Sequence, residues 1–549
     1  MKRAVAARIA LYCSLTFGIA FSLCVAQENS RPTPEADTLA ERWQNPALLS
    51  FEDLVALALS AKPEGALAAR FNALLNTPFV HSETVPGDIQ PQRPNLTGLG
   101  IVVRVGQWNI ERGLNFDLIR SALSDPSEFL RMTATEGRIS PGRRKIIESQ
   151  LTRLQGVDVL VLNEADWGMK RTEYRDIARD LAAALQMNYA YGVEFVEVDP
   201  VFDLNTEQVH LGDAQQDLRL QQDLQVDRQQ YHGLHGTAIL SRYPIESARI
   251  LRLPVCYDWY AKEYAAISKL ERGRRWSAHK LFRERVEREL RQGGRMALIA
   301  DISVPDLPTG RATLVATHLE NKCPPGCRRR QLQALLAELR SDKNPVVIAG
   351  DLNTTSRDNT PTSLRNEIMT RVTDYKFWAG QVVSHFHPLG VFQYILVPVR
   401  YFHGYNDPTA FHLPVLWDNR EQPLFKTVEK FRFADGYAFD FRGEPDRTLP
   451  SKRRSLADSN QRGPKGFTPT YAFARNYGGL VGRFKLDWIF VKPFIEDPRR
   501  TEQSYRFAPH FPITMRELND SVEDRISDHP PMTVDLPLTE PTKFAALKW

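Results

Sequence analysis

The chain has 549 residues, 42% of them hydrophobic and 25% charged, which is enough to bury a large core and too many for one ordinary domain. Its formal charge of +5 falls to +2 once residues 1–26, with Lys2, Arg3 and Arg8 and no acid, are set aside. Net charge is therefore no guide to a polyanionic partner, and any preference must come from local clusters.

Residues 1–26 open with those basic residues and continue as an uncharged run ending Cys24-Val25-Ala26, which predicts a cleaved signal peptide and a secreted or periplasmic protein; an N-terminal membrane anchor is the alternative. Residues 27–37 read as a polar leader. The helical spacing of apolar residues within 39–75 predicts a small helical appendage, and 86–94 a linker. From 98 the pattern changes to short apolar runs between amphipathic stretches. Strands are expected at 101–105, 157–162, 189–198, 238–240, 297–304, 313–316, 346–349, 485–491 and 532–536, with helices at 143–154, 175–187 and 328–339. This alternation predicts α/β or α+β layers in a domain over 98–540, with insertions near 199–231, 258–293 and 360–467.

Removal of the leader leaves Cys256 and the pair Cys323 and Cys327 in Cys-Pro-Pro-Gly-Cys. In an oxidising compartment the close pair is expected to form a short-range disulfide, with two free thiols as the alternative. No second ligand pair accompanies them, which argues against zinc.

Six polar strings stand at the ends of apolar runs: Trp108-Asn109-Ile110-Glu111, Leu162-Asn163-Glu164, Thr317-His318-Leu319-Glu320, Gly350-Asp351-Leu352-Asn353, Lys485-Leu486-Asp487-Trp488 and Ser527-Asp528-His529-Pro530. Phosphoester hydrolysis needs charge neutralised on phosphoryl oxygens and a water positioned in line, which a hard divalent cation held by carboxylates assists. Glu164, at the end of an apolar strand, suits such a cation. Asp351 and Asn353, two apart, would point the same way in extended backbone and could position or deprotonate a water; a plain turn is the alternative. His318 and His529 could donate to a phosphoryl oxygen or move a proton. A buried Asp487 needs a partner such as His529.

In this order the strings resemble the endonuclease/exonuclease/phosphatase superfamily, which includes deoxyribonucleases, abasic-site endonucleases, inositol polyphosphate phosphatases and neutral sphingomyelinases. The resemblance spans about 98–536. It implies a four-layer α/β sandwich of two packed mixed β-sheets covered by helices, with Mg2+ or Mn2+ as cofactor. By position, Glu111, Glu164 and Asp528 resemble metal ligands, and His318, Asp351, Asn353, Asp487 and His529 catalytic groups. Asn109, Arg242 and Arg295 resemble phosphate- or substrate-binding residues. Thr237 departs from the family, where many relatives carry Asn before Ala-Ile-Leu-Ser.

Two substrate classes compete. The basic residues between Lys269 and Arg291 suit a nucleic-acid backbone, although acids interrupt them. The apolar run 391–402 suits peripheral contact with a membrane and a lipid phosphodiester. A nuclease is slightly favoured, and a monomer is expected. A catalytically inactive binding module on the same fold is the reading from another class.

Overall fold

A computed structural model describes Trp43 and residues 45–60, 62–82, 91–97, 99–134, 140–198, 227–265, 290–354, 421–440, 459–463, 466–472, 483–495, 510–522 and 525–538, together with three short strand fragments. The leader 1–26, the excursion 199–226, the basic stretch 269–289 and the apolar run 391–402 lie outside the described residues. Residues 1–44 separate from 45–549 as a unit of their own. The described helices and sheets belong to the second unit.

In chain order the elements are α1 Phe51–Leu59, α2 Gly65–Asn76, β1 Phe79–His81, β2 Asn95–Leu96, β3 Gly100–Asn109, α3 Phe116–Ser124, α4 Pro126–Ala134, α5 Pro141–Gln155, β4 Val159–Trp167, α6 Ile177–Leu185, β5 Asn188–Glu197, β6 Leu234–Ser241, β7 Ile245–Arg252, α7 Trp259–Ala265, β8 Arg291–Gly293, β9 Met296–Ser303, β10 Arg311–His318, α8 Pro325–Glu338, β11 Val346–Asp351, α9 Gln422–Lys430, β12 Asp487–Lys492, β13 Phe511–Thr514 and β14 Met532–Pro537. The larger sheet runs β1-β5-β6-β4-β3-β14-β13, with β2 on β3 and β8 on β5; the smaller runs β12-β11-β10-β9-β7. Both are mixed. Among the described strands only β3 with β4 and β10 with β11 are parallel, and each such pair is joined through helices, α3 to α5 in the first case and α8 in the second.

Local chemistry explains the helices. Ser50 and Asp53 form a reciprocal capping box at α1, and Asp176 caps α6. Leu54, Leu57, Leu74, Ile119, Leu151 and Leu181 come from the helices to meet Leu160 and Leu162 of the larger sheet. Leu332, Leu335 and Phe425 cover Val315, Ile348 and Trp488 of the smaller one. Each such side chain contributes roughly 1.5–3 kcal/mol on burial. The inner faces of the two sheets meet through β3, β4, β5 and β6 on one side and β9, β10, β11 and β12 on the other, completing the four-layer α/β sandwich.

Two differences from the sequence reading concern local runs with weak signals. Residues 245–252 carry alternating polar residues because β7 is an edge strand, pairing β9 alone. The short β1 likewise falls on a run left unassigned; it pairs β5, and the helices α1–α2 of the expected appendage pack on the larger sheet's core.

The cysteine expectation is corrected. Cys256 pairs with Cys327, Cα to Cα 5.9 Å across 71 residues. Cys323 keeps a buried thiol whose Sγ donates to Glu320 O at 3.5 Å. The loop after β7 brings Cys256 beside the first turn of α8, while Cys323 is turned into the loop that follows β10.

Candidate active site

The site lies where the carboxyl ends of both parallel pairs meet. β3 and β4 deliver Asn109 and Glu164, β10 and β11 deliver His318 and Asp351, β12 begins at Asp487, and the loop before β14 carries Asp528 and His529. Backbone strain concentrates here: Glu111, Glu164 and Asn353 all have positive φ, at 47°, 57° and 49°, which costs a side-chain-bearing residue free energy and marks functional sites. At Glu164 the strain coincides with a break in the β4–β6 register between Leu162 and Ala165, a bulge that redirects the carboxylate out of the pleat. Gly350 is obligatory, because a Cβ there would lie 1.8 Å from Thr317 O.

Asn109 Nδ2 donates to Glu164 Oε1 at 3.1 Å and to Asp351 Oδ2 at 3.2 Å, so one amide joins a carboxylate from each sheet. His529 Nδ1 lies 2.7 Å from Asp487 Oδ2, and its Nε2 lies 3.8 Å from Asp351 Oδ2 and 3.9 Å from Asp528 Oδ1. His318 Nε2 approaches Asp351 Oδ2 from the other side at 3.5 Å. Asn353 donates its backbone N–H to Asp351 Oδ1 at 2.8 Å and its Nδ2 to Leu319 O. Glu111 Oε2 accepts from the Asp528 backbone N–H at 3.1 Å, tying the loop that holds His529 to the end of β3.

Charge follows from this packing. Burial pushes Asp351 up to about 7 against the pull of His529, with Asp487 and Glu164 adding repulsion. Burial also pushes Glu164 up, yet His235, Arg112, the Asn109 hydrogen bond and His529 outweigh it and keep its carboxyl below the ordinary value. For Asp487 burial is likewise overcome, by His529 first. Asp528 is raised, by burial first.

Glu164, His318 and Asp351 offer ligand atoms that all lie within 4.8 Å of one another, as do Asp351, Asp487 and His529. Among the described residues, two buried polar atoms at the site, Asn353 Oδ1 and His318 Nδ1, have no hydrogen-bond partner, and buried polar groups are seldom left so without a ligand or water. A donor set dominated by carboxylate oxygen suits a hard divalent cation. The residues therefore fit a hard divalent cation such as Mg2+ or Mn2+, which Glu164 would hold with Asp351 beside it.

Nine of the eleven sequence-predicted residues gather around this cluster: Asn109, Glu111, Glu164, His318, Asp351, Asn353, Asp487, Asp528 and His529. Arg295 lies in the layer behind it, its Nη1 on Glu194 Oε2 at 2.7 Å and its Nε 3.8 Å from Glu320. Arg242 is not brought in. It follows the end of β6 that pairs with Val159, the far end of β4 from Glu164, and donates to the carbonyls of Val157 and Leu185. The antiparallel run of β6 carries the Ser241-Arg242 turn away from the site, so its role is to cap backbone carbonyls.

Three residues complete the site that the strings alone did not single out. Asn163 Oδ1 accepts from Asp351 N–H at 2.9 Å while its Nδ2 donates to Thr317 O and Thr237 Oγ1 at 3.2 Å, stitching the two sheets together. Gln107 Nε2 donates to Asp487 Oδ1 at 2.9 Å. Glu194 sits 3.9 Å from His318 Nδ1 and binds both Arg295 and Thr237. Their common signal is a polar residue inside an otherwise apolar strand, expensive unless partnered.

The sequence profile of the endonuclease/exonuclease/phosphatase family matches residues 106–529. The chain belongs to this family, whose members are hydrolases acting on phosphoesters. Solved structures similar to it include an endonuclease/exonuclease/phosphatase from Beutenbergia cavernae DSM 12333 (16% identity, 80% of this chain and 72% of that one, TM-score 0.34). Others are the human Nocturnin catalytic domain with bound sulfate (13%, 82% and 100%, 0.33) and the 3'-5' exonuclease NExo from Neisseria meningitidis (12%, 79% and 99%, 0.34). No curated protein matches the chain.

Proposed function

We propose that this chain is a divalent-metal-dependent phosphoesterase that hydrolyses a phosphodiester or phosphomonoester by attack of water. The observation that carries the proposal is the convergence of Glu164, Asp351, His318 and the Asp487–His529 pair from separate strand ends onto one point. A bound cation would neutralise phosphoryl charge and favour formation of the nucleophile.

The protein's own groups supply the rest. Asp351, between His318 and His529 with its two oxygens held by Asn353 and Asn109, is suited to orient the attacking water and take its proton. His529, kept protonated by Asp487, presents Nε2–H to the charge developing on the phosphoryl group. His318 faces the same space from β10 and is suited to contact the substrate's phosphoryl oxygen.

Nucleic acid is the favoured substrate class. It is supported by the basic residues between Lys269 and Arg291 in the sequence and by Lys322, 36% exposed, four residues after His318. The Cys256–Cys327 disulfide fits the export predicted from residues 1–26. Among the described residues no helix is long and apolar enough to cross a membrane.

The test is a hydrolysis panel of DNA, RNA, sphingomyelin, phosphoinositides and a generic phosphodiester, run with Mg2+, with Mn2+ and with chelator. Cation-dependent cleavage of a nucleic acid is expected. Cleavage of lipid alone overturns the substrate class, chelator-insensitive cleavage overturns the metal dependence, and no hydrolysis at all favours a binding module.

A further inference from the structure

The cysteine cluster takes no part in the proposed reaction and holds one thiol more than its disulfide uses. The sulfurs of Cys256, Cys323 and Cys327 all lie within 4.8 Å of one another. Cys256 and Cys327 are joined, and Cys323 keeps its buried thiol on Glu320 O. A thiolate within reach of a disulfide sulfur exchanges with it.

Topology gives the disulfide a task. β7 and β10 both run antiparallel to β9, so the loop after β7 leaves the smaller sheet at the same edge as His318. Gln331 Nε2 fastens that loop by donating to Pro254 O at 3.0 Å, and Trp259 Nε1 fastens it by donating to Glu320 Oε2 at 3.0 Å. The disulfide is the third attachment and the covalent one. Through Glu320, two residues after His318, the loop backs the strand end that carries this histidine.

The two possible partners of Cys327 differ in what keeps them near it. Cys323 stands in the same short string, Cys-Pro-Pro-Gly-Cys, and stays close whatever the loop does. Cys256 is 71 residues away in the chain and is close only while the loop is docked. Cys256 is half-buried and Val255 beside it is 71% exposed, so a thiolate leaving from Cys256 meets water. In the docked fold exchange is held back, because burial pushes the Cys323 thiol up to about 11, with Arg328 opposing and Glu320 and Glu421 adding to the shift.

We propose that Cys323 is the exchange partner of this disulfide, converting Cys256–Cys327 into Cys323–Cys327 when the loop after β7 undocks and so latching that loop away from the His318 edge of the sheet. Cys323 Sγ, its proton lost to water, attacks Cys327 Sγ. The Cys323–Cys327 bond forms as the Cys256–Cys327 bond breaks, and Cys256 leaves as a thiolate that takes up a proton. One thiol and one disulfide enter and leave, so the step needs no outside oxidant or reductant.

Trypsin reads the pairing directly, because Cys256 lies in the peptide 253–262 while Cys323 and Cys327 share 323–328, with no Lys or Arg between them. Full-length protein is incubated at pH 8 at rising temperatures below its melt, denatured, alkylated with N-ethylmaleimide at pH 6 and digested. Wild type is expected to lose the cross-link between the two peptides and to gain an internal disulfide in 323–328 with an alkylated Cys256. Amide hydrogen exchange of 253–262 should speed up in step with the converted fraction. Cys323→Ser should keep both cross-link and protection under the same treatment, and Cys256→Ser should form the internal disulfide without it.

A wild-type cross-link that persists with Cys323 alkylated throughout overturns the inference. A cross-link moved from Cys327 to Cys323 does so too, since the loop then stays tethered, as does conversion that leaves exchange of 253–262 unchanged. Two free thiols in air-oxidised Cys256→Ser would show that the short pair cannot close, and three alkylated thiols at Cys256, Cys323 and Cys327 in fresh wild type would overturn the disulfide itself.

Discussion

Two buried histidines flank Asp351 and end in opposite charge states. On the β12 side burial works against the His529 cation, but Asp487, Asp528 and Asp351 outweigh it and push the ring up to about 10. On the β10 side burial pulls His318 well below the ordinary value, and Arg295, His235, His529 and Arg291 pull it further. The two rings are almost equally buried, at 2% and 1%. Burial alone therefore does not set the charge; the sign of the nearest partners does. One ring is a fixed cation held against a carboxylate, and the other is neutral at pH 7.

The comparison breaks most visibly at Asp487. Asp487→Asn removes the group that holds His529 protonated and oriented, and kcat at saturating cation should fall about 10²–10⁴-fold. Adding His529→Gln to it should cost little more, because the two act as one unit. Single-turnover rates of both singles and the double check this, and additive losses would show that the pair does not operate together.

His318→Gln is the counterpart on the neutral side. It removes a contact group but no fixed charge, so a smaller loss, about 10–100-fold, is expected. An equal or larger loss than in Asp487→Asn would erase the distinction between the two sides.

The asymmetry also reaches stability. Because the folded His529 is raised from 6.5 to about 10, its contribution is complete below pH 6.5 and is lost as pH rises through about 10. Urea unfolding at pH 7 and pH 10 should show a wild-type loss of stability that is reduced in His529→Gln. His318 is shifted the other way, so His318→Gln should leave this alkaline loss unchanged.

The smallest effect on turnover belongs to Arg242→Ala, far from both histidines. Losing its hydrogen bonds to Val157 O and Leu185 O should cost stability by about 1–3 kcal/mol and leave kcat within about twofold of wild type. Activity at full protein folding and a denaturation midpoint measure the two parts separately.

Much of this was legible along the chain. Strands β3, β4, β9, β10, β11 and β14 follow from short runs of Val, Ile, Leu and Ala, and polar residues that end such runs lie at a sheet edge whatever the topology. Asn109, Glu164, His318, Asp351 and Asp487 were visible for that reason. Edge strand β7 and the brief β1 have no comparable signal, since an edge position tolerates alternating polar residues. Arg242 misled because its string matched while the antiparallel direction of β6, which decides the end of the sheet it occupies, is not written in the string.

The amino-acid sequence by itself determined which residues form buried strands, where those strands stop, and which charged or amide side chains stand at the stops, because these depend on local periodicity and on the cost of burying polarity. Tertiary structure alone decided that Cys256 rather than Cys323 meets Cys327, that Asn163 joins the sheets, that Asp166 faces His235, and that two similar histidines carry different charge. Pairing and ionisation depend on distances through space between residues far apart in the chain, and those distances exist only once the two sheets have packed.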